Sequence, residues 1–172
     1  MSRHAAHAHA LARTRSRKHY SKLQPSYVSL FVGLHAGDAR DVSASSGIPI
    51  EVILAQSALE SNWGRNVKDN AYFGIKGKSA TGNSTTFSTH EVTASGKRVS
   101  ETDEFRAYAN YAEAAADYGS LIQRRYSAAF AYRDDAVKFA GAVAKQHYAT
   151  DPHYAEKLKS IIQSHIAPLL NK

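Results

Sequence analysis

One stretch constrains the fold of this chain more than any other: PIEVILAQSALESNWG runs from Pro49 to Gly64 with no internal breaker. Pro49 suits the first position of a helix and Gly64 a C-terminal stop. Ile50, Ile53, Leu54 and Ala58 share one face of that helix, while Val52, Ala55 and Leu59 occupy another. A helix apolar on most sides has to be covered on most sides, so the remainder of the domain must be arranged around it.

Near the end of this apolar helix stands one carboxyl group, Glu60, with Leu59 before it and Trp63 after it. The negative end of the helix dipole disfavours a charge there. Burial beside an aromatic ring does the same. Both raise a carboxyl pKa, the property needed by an acid that must keep its proton near neutrality and deliver it to a leaving oxygen. A helix-end glutamate paired with Arg65 or Lys68 is the alternative that position alone leaves open.

The other segments read as partners for this helix. Tyr27, Leu30, Phe31 and Leu34 have helical spacing; Gly33 and Gly37 predict a break, with a second short helix over 38–46. Residues 74–84, rich in Gly, Ser, Thr and Lys, read as a loop. Thr85–Val92 and Arg98–Phe105 read as antiparallel strands joined by the turn TASGK. A helix capped by Asn110, with Glu113 three residues on, carries Tyr118, Leu121 and Ile122. Another follows Asp134–Asp135, and a last one begins at Asp151–Pro152. The expected fold is mainly α (α+β), a small helical domain with one β-hairpin beside the site.

The 172 residues suit one such domain, and 43% hydrophobic content provides a core. No apolar run approaches the ~18 residues of a membrane span. Without cysteine, neither disulfides nor a thiolate metal site is available. The formal charge of +7 is concentrated in residues 1–22, where Arg3, Arg13, Arg15, Arg17, Lys18 and Lys22 meet no acidic residue. The remainder holds 16 basic and 15 acidic residues. Residues 1–22 therefore read as a basic, flexible arm, and 23–172 as the domain. The arm could serve nucleic acid, an anionic surface or docking, but a solvated extension is the expectation; nucleic-acid binding would show steep salt dependence. HAAHAHA within it lacks anything to fix a coordination geometry. It also lacks the apolar core of a secretory signal.

Four spaced blocks carry a resemblance. ALESNWG at 58–64, NAYFGIKG at 70–77, FRAYANYAEAAADYGSLI at 105–122 and HYATDPHYAEKL at 147–158 occur in this order. Together they resemble the glucosaminidase family that includes the hydrolase half of flagellar rod-cap proteins, glycoside hydrolase family 73. The resemblance implies a lysozyme-like domain cleaving peptidoglycan glycan strands, with Glu60 as general acid, Glu91 as second carboxylate and Tyr148 near the reacting sugar. Trp63, Asn70 and Phe73 belong to blocks that shape the groove, and Tyr111 and Tyr154 are further candidates for ligand contact. Strand alternation sets Phe87, Thr89 and Glu91 on one face, while Glu101, Asp103 and Glu104 on the returning strand are rivals for Glu91. The carboxyl separation would decide the route: about 5 Å for a nucleophile, roughly 6.5–9.5 Å for a base. Attack by the substrate's own acetamido group is a third route.

The resemblance implies an N-acetylglucosaminidase. The rivals are a lysozyme-like muramidase or lytic transglycosylase, and a glycan-binding module without activity. The expected setting is a chain made in the cytoplasm without an export signal and acting on the periplasmic wall. A type VI secretion effector with an immunity protein over its groove is preferred there to a phage endolysin. A monomer with no nucleic-acid partner and no membrane insertion is expected. No cofactor or metal is required, since neither a nucleotide loop nor metal-ligand spacing is present. His90 reads as a surface residue.

Overall fold

The computed structural model describes residues 26–172, except for the side chains of residues 89–92. The basic arm and the boundary at residue 22 lie outside the described residues, as do the side chains of His90 and Glu91.

Helix α1 spans Tyr27–Ser46. The Ser26 hydroxyl caps it by accepting from the Ser29 amide at 3.2 Å. Gly47, at φ 80°, ends it in the left-handed conformation that lets its N–H reach the Ser43 carbonyl. The break expected at Gly33 and Gly37 does not occur. Both glycines lie on the exposed side, and a Cβ on either would meet nothing within 4 Å. Burial of Phe31, Val32, His35, Ala39 and Val42 holds the helix through these two weak positions. The sequence stripe is also displaced: Tyr27, Leu30 and Leu34 are exposed, and only Phe31 of that set is buried.

Helix α2, Ile50–Ser61, is the apolar helix and is buried from Val52 to Ala58. It ends before Gly64. Asn62 takes the left-handed position, and the Trp63 N–H returns to the Ala58 carbonyl at 2.7 Å. Asn62, Trp63 and Gly64 all have positive φ, so the chain turns sharply one residue after the helix. Asparagine tolerates this conformation better than most residues, which is why the stop comes earlier than the glycine indicates.

Strands β1 (Ser84–Val92) and β2 (Arg98–Arg106) form an antiparallel hairpin with Thr85 opposite Phe105 and Glu91 opposite Val99. Thr93 and Lys97 close its turn. Lys76 bridges to Phe105 from the loop before β1, and the Arg106 N–H donates to the Ile75 carbonyl at 2.8 Å. The loop 74–77 is thereby tied to β2.

Helix α3, Tyr111–Arg125, starts at an Asn110 cap whose Oδ1 accepts from the Glu113 amide at 2.9 Å. The Glu113 carboxylate reaches back to the Ala109 N–H, one residue beyond the cap. A 3-10 turn (Ser127–Tyr132) leads to α4, Ala136–Lys145, capped by Asp135. Helix α5, Tyr154–Ile161, begins later than expected because Asp151 accepts from the His153 amide in a local turn. It continues through a π turn, Ile162–Ile166, into α6, Ala167–Leu170.

Helix α2 contacts α1, α4, α5 and the π turn, while α3 packs on α1. Gly119 of α3 permits that last approach: a Cβ there would stand 3.1 Å from Val42. The result is the expected mainly helical domain with one hairpin. Among the described residues, no helix is long and apolar enough to cross a membrane.

Candidate active site

Glu60 occupies the last turn of α2 and is half-buried. Its Oε1 accepts a hydrogen bond from the Tyr154 hydroxyl at 2.8 Å. Burial raises its pKa; the Tyr154 hydrogen bond pulls in the opposite direction but is the smaller influence. The carboxyl therefore holds its proton to higher pH than an ordinary glutamic acid.

The other carboxyl oxygen faces Gly74. A Cβ at that residue, where φ is 61°, would lie 2.8 Å from Oε2. A side chain here would be strained by the backbone conformation and would displace the Glu60 carboxyl. The ties from Ile75 and Lys76 to β2 hold Gly74 in place.

Behind Glu60 lies a directional hydrogen-bond chain. Gln56, one turn earlier on α2, is fully buried. Its Oε1 accepts from the Tyr118 hydroxyl, and its Nε2 donates to the Tyr154 oxygen at 3.2 Å. With Gln56 donating to that oxygen, the Tyr154 proton is directed at Glu60 Oε1. The dissociable proton of Glu60 is then left on Oε2, the oxygen beside Gly74. Gln56 and Gly74 did not emerge from the sequence as site residues. The available signal for Gln56 was a polar side chain on an otherwise apolar helix, four residues before the carboxyl.

Tyr148 stacks nearly parallel to Tyr154, with ring centroids 6.0 Å apart. Its hydroxyl donates to the Phe73 carbonyl at 2.6 Å. Burial raises the pKa of both hydroxyls, so both stay protonated. Tyr154, not Tyr148, is the tyrosine that touches the Glu60 carboxyl.

The remaining sequence candidates build the frame beneath these groups. Phe73 is 1% exposed and stacks on Tyr118 at 4.3 Å. Tyr111 is buried, and its hydroxyl pairs with Ser57 Oγ at 2.9 Å. With no free ring face, these two act through packing. Asn70, at φ 55°, donates from Nδ2 to the Tyr108 carbonyl at 3.0 Å and fastens the loop after α2 to the start of α3. Trp63 packs edge-on against Phe31 and His165, linking the end of α2 to α1 and the π turn.

Glu91 lies opposite Val99 in the register of the hairpin. Glu104 accepts from the Ser84 hydroxyl at 2.6 Å. Asp103 pairs with Lys76 at 3.0 Å. Among the described residues, no group of three or more His, Asp or Glu side chains could hold a metal ion.

A carboxyl whose pKa is raised by burial at the end of a buried helix, with a tyrosine pair beside it, fits a helical glycoside hydrolase domain. The family model for glucosaminidase, described as mannosyl-glycoprotein endo-beta-N-acetylglucosaminidase, matches residues 36–167. The chain belongs to this family, glycoside hydrolase family 73, and its fold is the lysozyme-like fold of that family. It is 40% identical over 136 residues to the peptidoglycan hydrolase FlgJ of Salmonella typhimurium. That match covers 73% of this chain and 42% of the relative, so the chain spans less than half the length of that relative. The catalytic domain of the autolysin Auto from Listeria monocytogenes superposes with a TM-score of 0.73 at 25% identity, covering 92% of this chain and 96% of that one. A type VI secretion effector–immunity complex from Pseudomonas protegens gives 0.61 at 17% identity, covering 85% and 95%, a likeness of fold alone.

Proposed function

We propose that this domain hydrolyses peptidoglycan glycan strands as an N-acetylglucosaminidase, with Glu60 donating a proton to the oxygen that leaves as the bond breaks. The observation that carries this reading is the state of Glu60: a carboxyl raised in pKa by burial, with one oxygen occupied by Tyr154. A shift in this direction suits a carboxyl to donating a proton. Family membership supports the hydrolysis of an N-acetylglucosaminyl bond, and the FlgJ relative supports peptidoglycan as the substrate.

Other roles follow from the same reading. Tyr154 orients the acid, and Tyr148 offers ring surface near the reacting sugar with its hydroxyl fixed by Phe73. Glu91, on β1, serves as the second carboxylate. Trp63, Asn70, Phe73 and Tyr111 hold the groove in shape.

The likeness to an effector–immunity complex lies at the level of fold, so an antibacterial setting and an immunity partner form no part of this proposal.

The test is Glu60→Gln, which keeps the shape and the acceptor for Tyr154 but removes the acid. Turnover of purified sacculi is expected to fall by about 10²–10⁴-fold with the fold intact. Undiminished turnover would overturn the role of Glu60. Released fragments should end in reducing N-acetylglucosamine; anhydro-muramyl ends would instead identify a lytic transglycosylase.

A further inference from the structure

Next to Gly74 and Tyr148 the surface opens into a cleft of about 240 Å³. Its walls include Lys76, Arg106, Arg125 and Tyr126, and no acidic side chain lines it. Arg106 is committed to Asp117 at 2.9 Å, although its Nε is buried without a hydrogen-bond partner. Lys76 is paired with Asp103 but remains 69% exposed. Arg125 is exposed and makes no ion pair among the described residues. Gly74 belongs both to this cleft and to the contact with Glu60 Oε2, so the basic cleft opens beside the proton that is to be transferred.

The substrate chemistry gives that placement a meaning. When the bond from N-acetylglucosamine to muramic acid breaks, O4 of the muramic acid takes the proton from Glu60. The neighbouring carbon, C3, bears the lactyl ether and, in intact wall, the stem peptide attached to it. Both are sources of carboxylate. At the other glycosidic bond the leaving sugar is N-acetylglucosamine, whose C3 bears only a hydroxyl. A basic cleft immediately beside the acid thus fits the leaving side of the glucosaminidase reaction.

We infer that the cleft lined by Lys76, Arg106 and Arg125 binds a carboxylate of the C3 substituent of muramic acid in the leaving-sugar position. The inference rests on the proposed glucosaminidase activity and adds a recognition site to it. Lys76 and Arg125 are the adjustable contacts, while Arg106 forms the fixed inner wall. Partly exposed cations attract an anion modestly each, and together they select for it.

The test compares three substrates: glycan strands stripped of peptide, the same strands with their lactyl carboxylates converted to neutral amides, and peptide-bearing strands. The full chain is expected to lose about tenfold in kcat/KM on amidation of the stripped strands, mostly through KM. In the double variant Lys76→Gln, Arg125→Gln that ratio is expected to fall to about one. Peptide-bearing strands distinguish the two sources of carboxylate: turnover matching the charged strands assigns the anion to the stem, and turnover matching the amides assigns it to the lactyl group. A ratio near one in the unmodified protein, or a ratio unchanged in the double variant, would overturn the inference. Failure of the unmodified protein to cut any of the three would count against the glucosaminidase reading itself.

Discussion

At Glu60 two opposing influences meet, and one substitution separates them. Burial raises the carboxyl pKa, whereas the Tyr154 hydrogen bond stabilises the anion and lowers it. Tyr154→Phe removes the lowering influence, so the pKa must climb further. The proposed role requires Glu60 to be protonated, so the alkaline limb of the kcat/KM profile should move to higher pH in that variant. A limb that moved to lower pH would mean that Tyr154 holds the protonated form instead. The sequence disclosed half of this arrangement. The lone carboxyl at the end of an apolar helix, followed by an aromatic residue, made Glu60 a candidate, and the four motif blocks around it carried the choice. Tyr154 stands 94 residues away and Gln56 is an unremarkable amide, and only folding brings the three into one chain of hydrogen bonds. Gly74 was hidden for another reason: its importance lies in the carboxyl oxygen its missing side chain admits, and local sequence carries no trace of that.

Among the elements, α2 was the most legible because its composition demanded burial on nearly every side, and the hairpin was legible because its alternation and turn residues agreed. Asn110 and Asp135 announced their helices through capping chemistry that works locally. Helix α1 was misread because two glycines weaken intrinsic propensity, while the packing that overrides them is contributed by other elements. That explanation has a measurable consequence. Gly33 and Gly37 sit in a helix interior with open space where a Cβ would be, so neither conformation nor contact requires glycine. Gly33→Ala and Gly37→Ala should each stabilise the domain by roughly 0.5–1 kcal/mol, read as a higher midpoint in chemical denaturation. A loss of stability in either would show that these positions serve a contact of the glycine backbone.

For the molecule as a whole, stability against acid should depend on a group remote from the reacting carboxyl. His35 is buried between α1 and α3, stacked on Tyr111 at 3.9 Å and edged by Phe31 and Tyr72. Desolvation drives its pKa down to about 4, against the weaker raising influence of Asp38. The unfolded chain, with an ordinary histidine near 6.5, takes up a proton that the folded chain refuses. Folding stability is therefore undiminished above pH 6.5 and declines as the pH falls from 6.5 towards 4. For a group this deeply buried the loss is on the order of 2–3 kcal/mol, a large part of the margin of a small domain. His35→Phe keeps a ring in the aromatic cluster without the titrating nitrogens. Its melting temperature should fall less between pH 7 and pH 4.5 than that of the unmodified protein. Parallel curves for the two would place the origin of acid sensitivity elsewhere. The same comparison separates loss of fold from loss of chemistry: activity lost on acidification that His35→Phe restores is lost through unfolding, and activity that it does not restore is lost at the site.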